Sequence, residues 1–172
     1  MPTIGVAIAL AEPWATQLQE YRASLGDETA GLIPTHVTLV PPVELTEQQI
    51  ADAAGHLDQV ATGFPPFLIQ LRGTGTFRPV SPVVFVSLVQ GISQCEALAD
   101  RIRRGPLDVP LQHPYHPHVT VAHHRPEDVM DRAFAELATF DCTFDVERFH
   151  LYRHDDGTGW RPVRDFALRG AL

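Results

Sequence analysis

Cysteine is scarce in this chain. Cys95 and Cys142 are the only two in 172 residues, and no CxxC pattern accompanies them. This is no basis for a disulfide-stapled scaffold. Both fall in apolar periodic segments, where buried, reduced thiols are expected. Long apolar runs are also missing. The longest, "VVFVSLV" at 83–89, is far too short to span a bilayer. The opening "MPTIGVAIALAEPW" has no basic region ahead of its apolar stretch and no clear cleavage site. It is expected to form a first strand of the mature fold, in a cytoplasmic protein without a membrane partner.

Positive charge is in short supply too. Net charge is −8 with a pI near 5.5, and the one dense basic cluster is "RIRR" at 101–104. Proteins that grip a long phosphate backbone usually carry a basic stripe, so no long nucleic-acid groove is expected. A phosphate-bearing partner should be small or locally bound, because net charge does not forbid one positive pocket. No Gly-rich nucleotide loop with a Lys occurs, nor a carboxylate cluster suited to Mg²⁺.

The apolar share of 44% and charged share of 20% are those of a soluble globular domain. The length suits one domain, or two small lobes sharing a core. Strand-type runs alternate with amphipathic helix-type runs. Strands are expected at 4–10, 36–40, 67–72, 83–89, 117–122, near 142–152 and at 163–169. A first helix starts at about Pro13, with Trp14, Leu18, Tyr21 and Leu25 on one face. Thr46 and Gln49 form a capping box before the stripe Ile50, Ala54, Leu57 and Ala61. Ser93 and Glu96 are expected to do the same before Cys95, Leu98 and Ile102, with Gly105 ending that helix. A fourth helix from about Pro126 presents Met130, Ala133 and Leu137. "GTGTFRP" at 73–79 reads as a turn or loop.

The order of elements repeats. "HVTL" at 36–39 matches "HVTV" at 118–121 at an offset of 82, and "GTGTFRPV" at 73–80 matches "DGTGWRPV" at 156–163. The strand–helix unit near residue 4 matches the one near 83. Three ordered matches at nearly one offset imply an internal duplication, with repeats of about 1–82 and 83–172. Two units cannot make a solenoid. With no Ser/Gly-rich linker between them, they are expected to face each other about a pseudo-two-fold axis within a single bilobal domain, as a monomer.

In a strand, side chains alternate between faces. His36 and Thr38 therefore share one face, and Val37 and Leu39 the other. The same holds for His118 and Thr120 against Val119 and Val121. Each repeat anchors its apolar pair in a core and offers one imidazole and one hydroxyl, about 7 Å apart along the strand. Two imidazoles that titrate near neutrality can serve as general base and general acid. Hydroxyls can hold phosphoryl oxygens and the charge developing on them. The set suits phosphodiester chemistry with no metal and no cofactor.

These paired HxTx motifs, "IPTHVTLVPP" and "YHPHVTVA", resemble those of the 2H phosphoesterase superfamily, and most closely its 2′-5′ RNA ligase-like, cyclic phosphodiesterase branch. The resemblance covers essentially the whole chain. It implies an α+β bilobal fold, with two antiparallel sheets and outer helices around a central phosphate-binding cleft. It implies hydrolysis of 2′,3′-cyclic phosphates of nucleotides or short RNA ends, with 2′-5′ ligation as the reverse reaction. It makes His36, Thr38, His118 and Thr120 catalytic. Some members of the superfamily only bind nucleotides, so a catalytically silent nucleotide-binding module is the alternative.

Other residues are candidates for substrate binding. Phe77 and Trp160 hold equivalent repeat positions and can stack on a nucleobase, although loop aromatics also fold back over sheet edges. Arg78 and Arg161 follow them and can fork a phosphate, or stay solvated. Tyr115 can line the cleft mouth. His116 shares the face of His118 if the strand begins that early. Five histidines between His113 and His124 pose a metal question. No ligand-spaced Cys or carboxylate accompanies them, and only His118 has a counterpart in the first repeat, so a His-rich metal-binding protein is the weakest reading. Of His123 and His124, at the strand's end, one is expected near the cleft.

Overall fold

The computed structural model describes residues Met1–Leu172. Eight strands form two four-stranded antiparallel sheets, with four α-helices packed on them. The first sheet has the order β2-β1-β7-β8, where β1 is Thr3–Ala9, β2 His36–Glu44, β7 Arg148–Asp155 and β8 Gly159–Ala167. The second has the order β5-β4-β3-β6, where β3 is Phe67–Thr76, β4 Val83–Gln90, β5 His118–His123 and β6 Asp141–Val146. The helices are α1 (Trp14–Ser24), α2 (Glu47–Gly63), α3 (Ile92–Ile102) and α4 (Glu127–Glu136). The expected α+β architecture of paired antiparallel sheets with outer helices is the one observed. No helix is long and apolar enough to cross a membrane.

Local chemistry explains most boundaries. The Thr46–Gln49 capping box forms: Gln49 N donates to Thr46 Oγ1 and Thr46 N to Gln49 Oε1. The box expected at Ser93–Glu96 does not form. That helix starts from Gly91, whose φ of 93° lies in the left-handed region. A Cβ there would stand 2.6 Å from the Leu68 carbonyl oxygen, so a tight strand-to-helix turn replaces the side-chain cap. "GTGT", expected as a loop, continues β3 to Thr76, because its backbone pairs with β4. The segment expected as one strand near 142–152 is two, broken at Glu147: β6 pairs with β3 and β7 with β1. Pairing across sheets overrides continuity of apolar pattern here.

The sheets do not follow the sequence halves. β3 lies in the same sheet as β4, β5 and β6, while β7 and β8 complete the sheet of β1 and β2. One cluster of 37 buried apolar residues runs through the molecule. β2 and β5 are the edge strands that approach each other across the junction, with α3 packed against β2 and α1 against β5.

Candidate active site

β2 and β5 begin at His36 and His118, so both motifs open the strands that meet at the junction. Their first five residues show the same alternation. Each His and Thr is partly exposed, whereas Val37, Leu39, Val119 and Val121 are fully buried. The apolar residues fix which face the polar pair must occupy, since a one-residue slip would expose the former.

Both imidazoles are held alike. His36 Nδ1 lies 2.6 Å from the carbonyl oxygen of Pro34, and His118 Nδ1 lies 2.6 Å from that of His116. A carbonyl oxygen only accepts, so Nδ1 carries the hydrogen in each ring and Nε2 is left free as the second nitrogen. Both rings titrate below the ordinary histidine value. Burial is the main cause in each case, opposed by the carbonyl bond. The Arg22 charge lowers His36 further, and the charges of His116 and His36 lower His118. His36 and His118 thus both border the junction where β2 and β5 meet.

The surroundings of the two motifs differ. Register places Ala7 opposite Thr38 and Phe85 opposite Thr120. Beside the first motif, small residues leave a cavity of about 190 Å³, lined by Gly5, Ala7, His36, Thr38, Tyr152 and Trp160 among others. Its floor is close: a Cβ on Gly5 would lie 3.6 Å from the Trp160 ring. Beside the second motif the corresponding space is filled. The Phe85 ring lies over Gly75, where a Cβ would stand 2.5 Å from it. Phe85 packs on Phe77 at 4.6 Å between centroids, and the two lie 5.3 and 4.9 Å from His118. A second, more polar cavity of about 210 Å³ includes Arg22, Asp27, Thr29, His36, Thr120 and His123 in its wall. The two cavities share His36, one carrying Thr38 and the other Thr120.

The description "2′-5′ RNA ligase superfamily" matches residues 10–158. The chain belongs to that family of 2H phosphoesterases. A relative from Oceanobacillus iheyensis, named "Putative phosphoesterase", is 30% identical over 146 residues, covering 83% of this chain and 84% of its own. One from Bacillus pumilus with the same name is 29% identical over 144 residues, at 83% and 84% coverage. In fold, the chain is similar to Escherichia coli LigT complexed with 3′-AMP, with a TM-score of 0.72, 21% identity and 98% and 99% coverage. TT0787 of Thermus thermophilus superposes at 0.73, with 23% identity and full coverage of both chains.

Within this 2H phosphoesterase the remaining candidates separate. Trp160 lines the first cavity, and Phe77 walls in His118. His116 is exposed, 5.5 Å from Phe77, and contributes its carbonyl to His118. Arg78 is not free to grip phosphate. Its Nη1 bonds Glu127 and Asp131 of α4 at 3.0 and 2.8 Å, and its Nε bonds Thr76 Oγ1. Arg161 is exposed and, one residue along β8 from Trp160, points away from the cavity face. Tyr115 is a strut and not a mouth residue. Its hydroxyl donates to the Thr38 carbonyl at 2.8 Å, tying the approach to β5 onto β2. Of the histidine-rich stretch, His123 reaches the second cavity, whereas His113 and His124 are exposed away from both cavities. No three His, Cys, Asp or Glu side chains converge as a metal-ligating group. The donor set that a metal reading of 113–124 requires is therefore not assembled.

Sequence reading missed Arg22, Ala7, Gly5 and Tyr152. Arg22 had a signal. It stands between Leu18 and Leu25 at helical spacing, a charge on the face that the period assigns to the core.

Proposed function

We propose that the protein opens 2′,3′-cyclic phosphates of nucleotides or short RNA ends by two-histidine acid–base catalysis, acting as a cytoplasmic monomer. The observation that carries this reading is the matched pair of Nδ1–carbonyl hydrogen bonds, which leaves one Nε2 on each motif strand for proton transfer. One Nε2 accepts a proton from water as the water oxygen bonds to phosphorus. The bond from phosphorus to one ribose oxygen breaks, and the other Nε2–H gives its proton to that oxygen. Thr38 and Thr120 donate to the non-bridging oxygens. At rest both rings are biased to the neutral form. An incoming phosphate anion raises the histidine it approaches, so one ring is charged when the substrate is bound.

The first cavity supports a nucleoside on the sheet that carries Trp160 and Tyr152, since aromatic faces accept any base. Structures of the fold relative LigT with 3′-AMP, ATP and NADP+ support small nucleotides as the ligand class. The reverse reaction, joining RNA ends through a 2′-5′ bond, uses the same groups. The test is a panel of cyclic phosphodiesters assayed in EDTA. Turnover that persists in EDTA is expected for a nucleoside 2′,3′-cyclic phosphate. Tight nucleotide binding without turnover on any member would identify a binding module instead, and loss on chelation would overturn the mechanism.

A further inference from the structure

All permanent side-chain positive charge in this chain is arginine, thirteen in number, with no lysine. Only one of them, Arg22, lines either cavity at the motifs. Arg78 is neutralised by α4, and Arg161 lies off the cavity face. Arg22 is 6% exposed, on the inward face of α1. Its Nη1 donates to the Ile33 carbonyl at 2.6 Å, which is its only hydrogen bond. Nη2 stands 4.0 Å from the Asp27 carboxylate, beyond hydrogen-bond reach. Asp27 Oδ1 is already taken by the Thr29 amide and hydroxyl.

A guanidinium has five N–H donors in a fixed fork. The remaining Arg22 N–H groups are not among the buried side-chain atoms left without a partner, so they stay open to solvent and to a ligand in the cavity. Arg22 shares its cavity wall with His36 from one motif and Thr120 from the other. Its charge is also near enough to His36 to depress that ring.

We propose that Arg22 is the phosphate-binding cation of this site, donating to a non-bridging oxygen of a phosphate held between His36 and Thr120. The inference rests on reading the paired motifs as a phosphate site. It puts one of an acidic protein's thirteen fixed positive charges where an anionic substrate needs it. Thr120 and His123 supply further polar contacts on the same wall.

The probe is inorganic phosphate, measured by calorimetry on the full chain and as an inhibition constant. Charge-assisted hydrogen bonds are strong enough that Arg22→Met should weaken phosphate by about 10- to 100-fold. Arg22→Lys, which keeps a charge but loses the fork, should weaken it less. Asp27→Asn retains an acceptor for Thr29 and removes the competing carboxylate, so phosphate should tighten by about two- to five-fold. Adenosine, which has no phosphate, should bind all three variants as it binds wild type.

Phosphate affinity unchanged in Arg22→Met overturns the proposal, as does a wild type that binds no phosphate. If Arg22→Met does not fold, unchanged affinity in both other variants overturns it equally. Arg22-dependent phosphate binding in a protein that turns over no cyclic phosphodiester would sink the enzyme reading alone. Turnover with phosphate binding indifferent to Arg22 would sink this proposal alone.

Discussion

The two motif strands carry the same chemistry in different company. Opposite Thr38 stands Ala7, and opposite Thr120 stands Phe85. Trp160 looks onto open space beside the first motif, whereas its repeat counterpart Phe77 is packed against Phe85 and His118. Acid–base work on a phosphodiester needs two similar groups, one on each side of phosphorus. A nucleotide is not symmetric, and only one side of its phosphate carries the base. The difference teaches that two matched motifs can keep the same polar face while aromatic rings fill the space beside one histidine and the space beside the other stays open.

The sharpest break of this comparison is to remove each imidazole in turn. His36→Ala and His118→Ala should each lower kcat/KM on a nucleoside 2′,3′-cyclic phosphate by about 10²- to 10⁴-fold. If one variant keeps near-normal turnover, the motifs are not an acid–base pair.

The two aromatics should then part ways. Base stacking is worth about 1–3 kcal/mol, so Trp160→Ala should raise KM by about 5- to 150-fold with kcat little changed. Phe77→Ala should leave KM near wild type and lower kcat, because it loosens His118 and not the nucleoside. Equal KM effects in both would show that the filled and open cavities are not functionally distinct.

The partly buried imidazoles also tie stability to pH. Both titrate below the ordinary value of about 6.5. The unfolded chain therefore binds protons first as pH falls, and folding must resist charging two partly buried rings. Their contribution to stability is fully present above pH 6.5 and is lost as pH falls through the lower folded-state values. Thermal melts on the acidic side of 6.5 should show this decline, and it should be shallower in His36→Gln. A slope unaffected by that change would remove His36 from the account.

The smallest effect is expected at the strut between the lobes. Tyr115→Phe deletes the hydrogen bond to the Thr38 carbonyl and should cost about 0.5–1.5 kcal/mol in urea unfolding. A neutral result would mean that apolar packing alone sets how β2 meets β5.

Much of this was legible in residue order. Period-two alternation placed His36, Thr38, His118 and Thr120 on matching faces, and the offset of 82 paired them. What escaped was whatever depends on distant backbone. The break at Glu147 is invisible locally, because β6 and β7 are both strand-like and differ only in their partners. Arg78 and Arg161 looked equivalent by repeat position, but α4 places two carboxylates beside the former, and strand alternation turns the latter away. The buried role of Arg22 depends on the loop at Ile33 returning to accept from it.

The exchange of strands between sheets has a consequence for synthesis on the ribosome. β1 emerges first and finds β2 soon after, but its other edge pairs Ile4 with Arg153 and Ala7 with His150. Until nearly the whole chain is made, that edge is a row of unpaired amides on an apolar strand, able to recruit the wrong neighbour. Docking the β7–β8 hairpin onto β1 closes the sheet through contacts of high sequence separation, which slow folding. The sheet that carries the first motif is therefore completed only with the C-terminal hairpin, and a chain stalled before Arg148 would have both motifs but only half of that sheet.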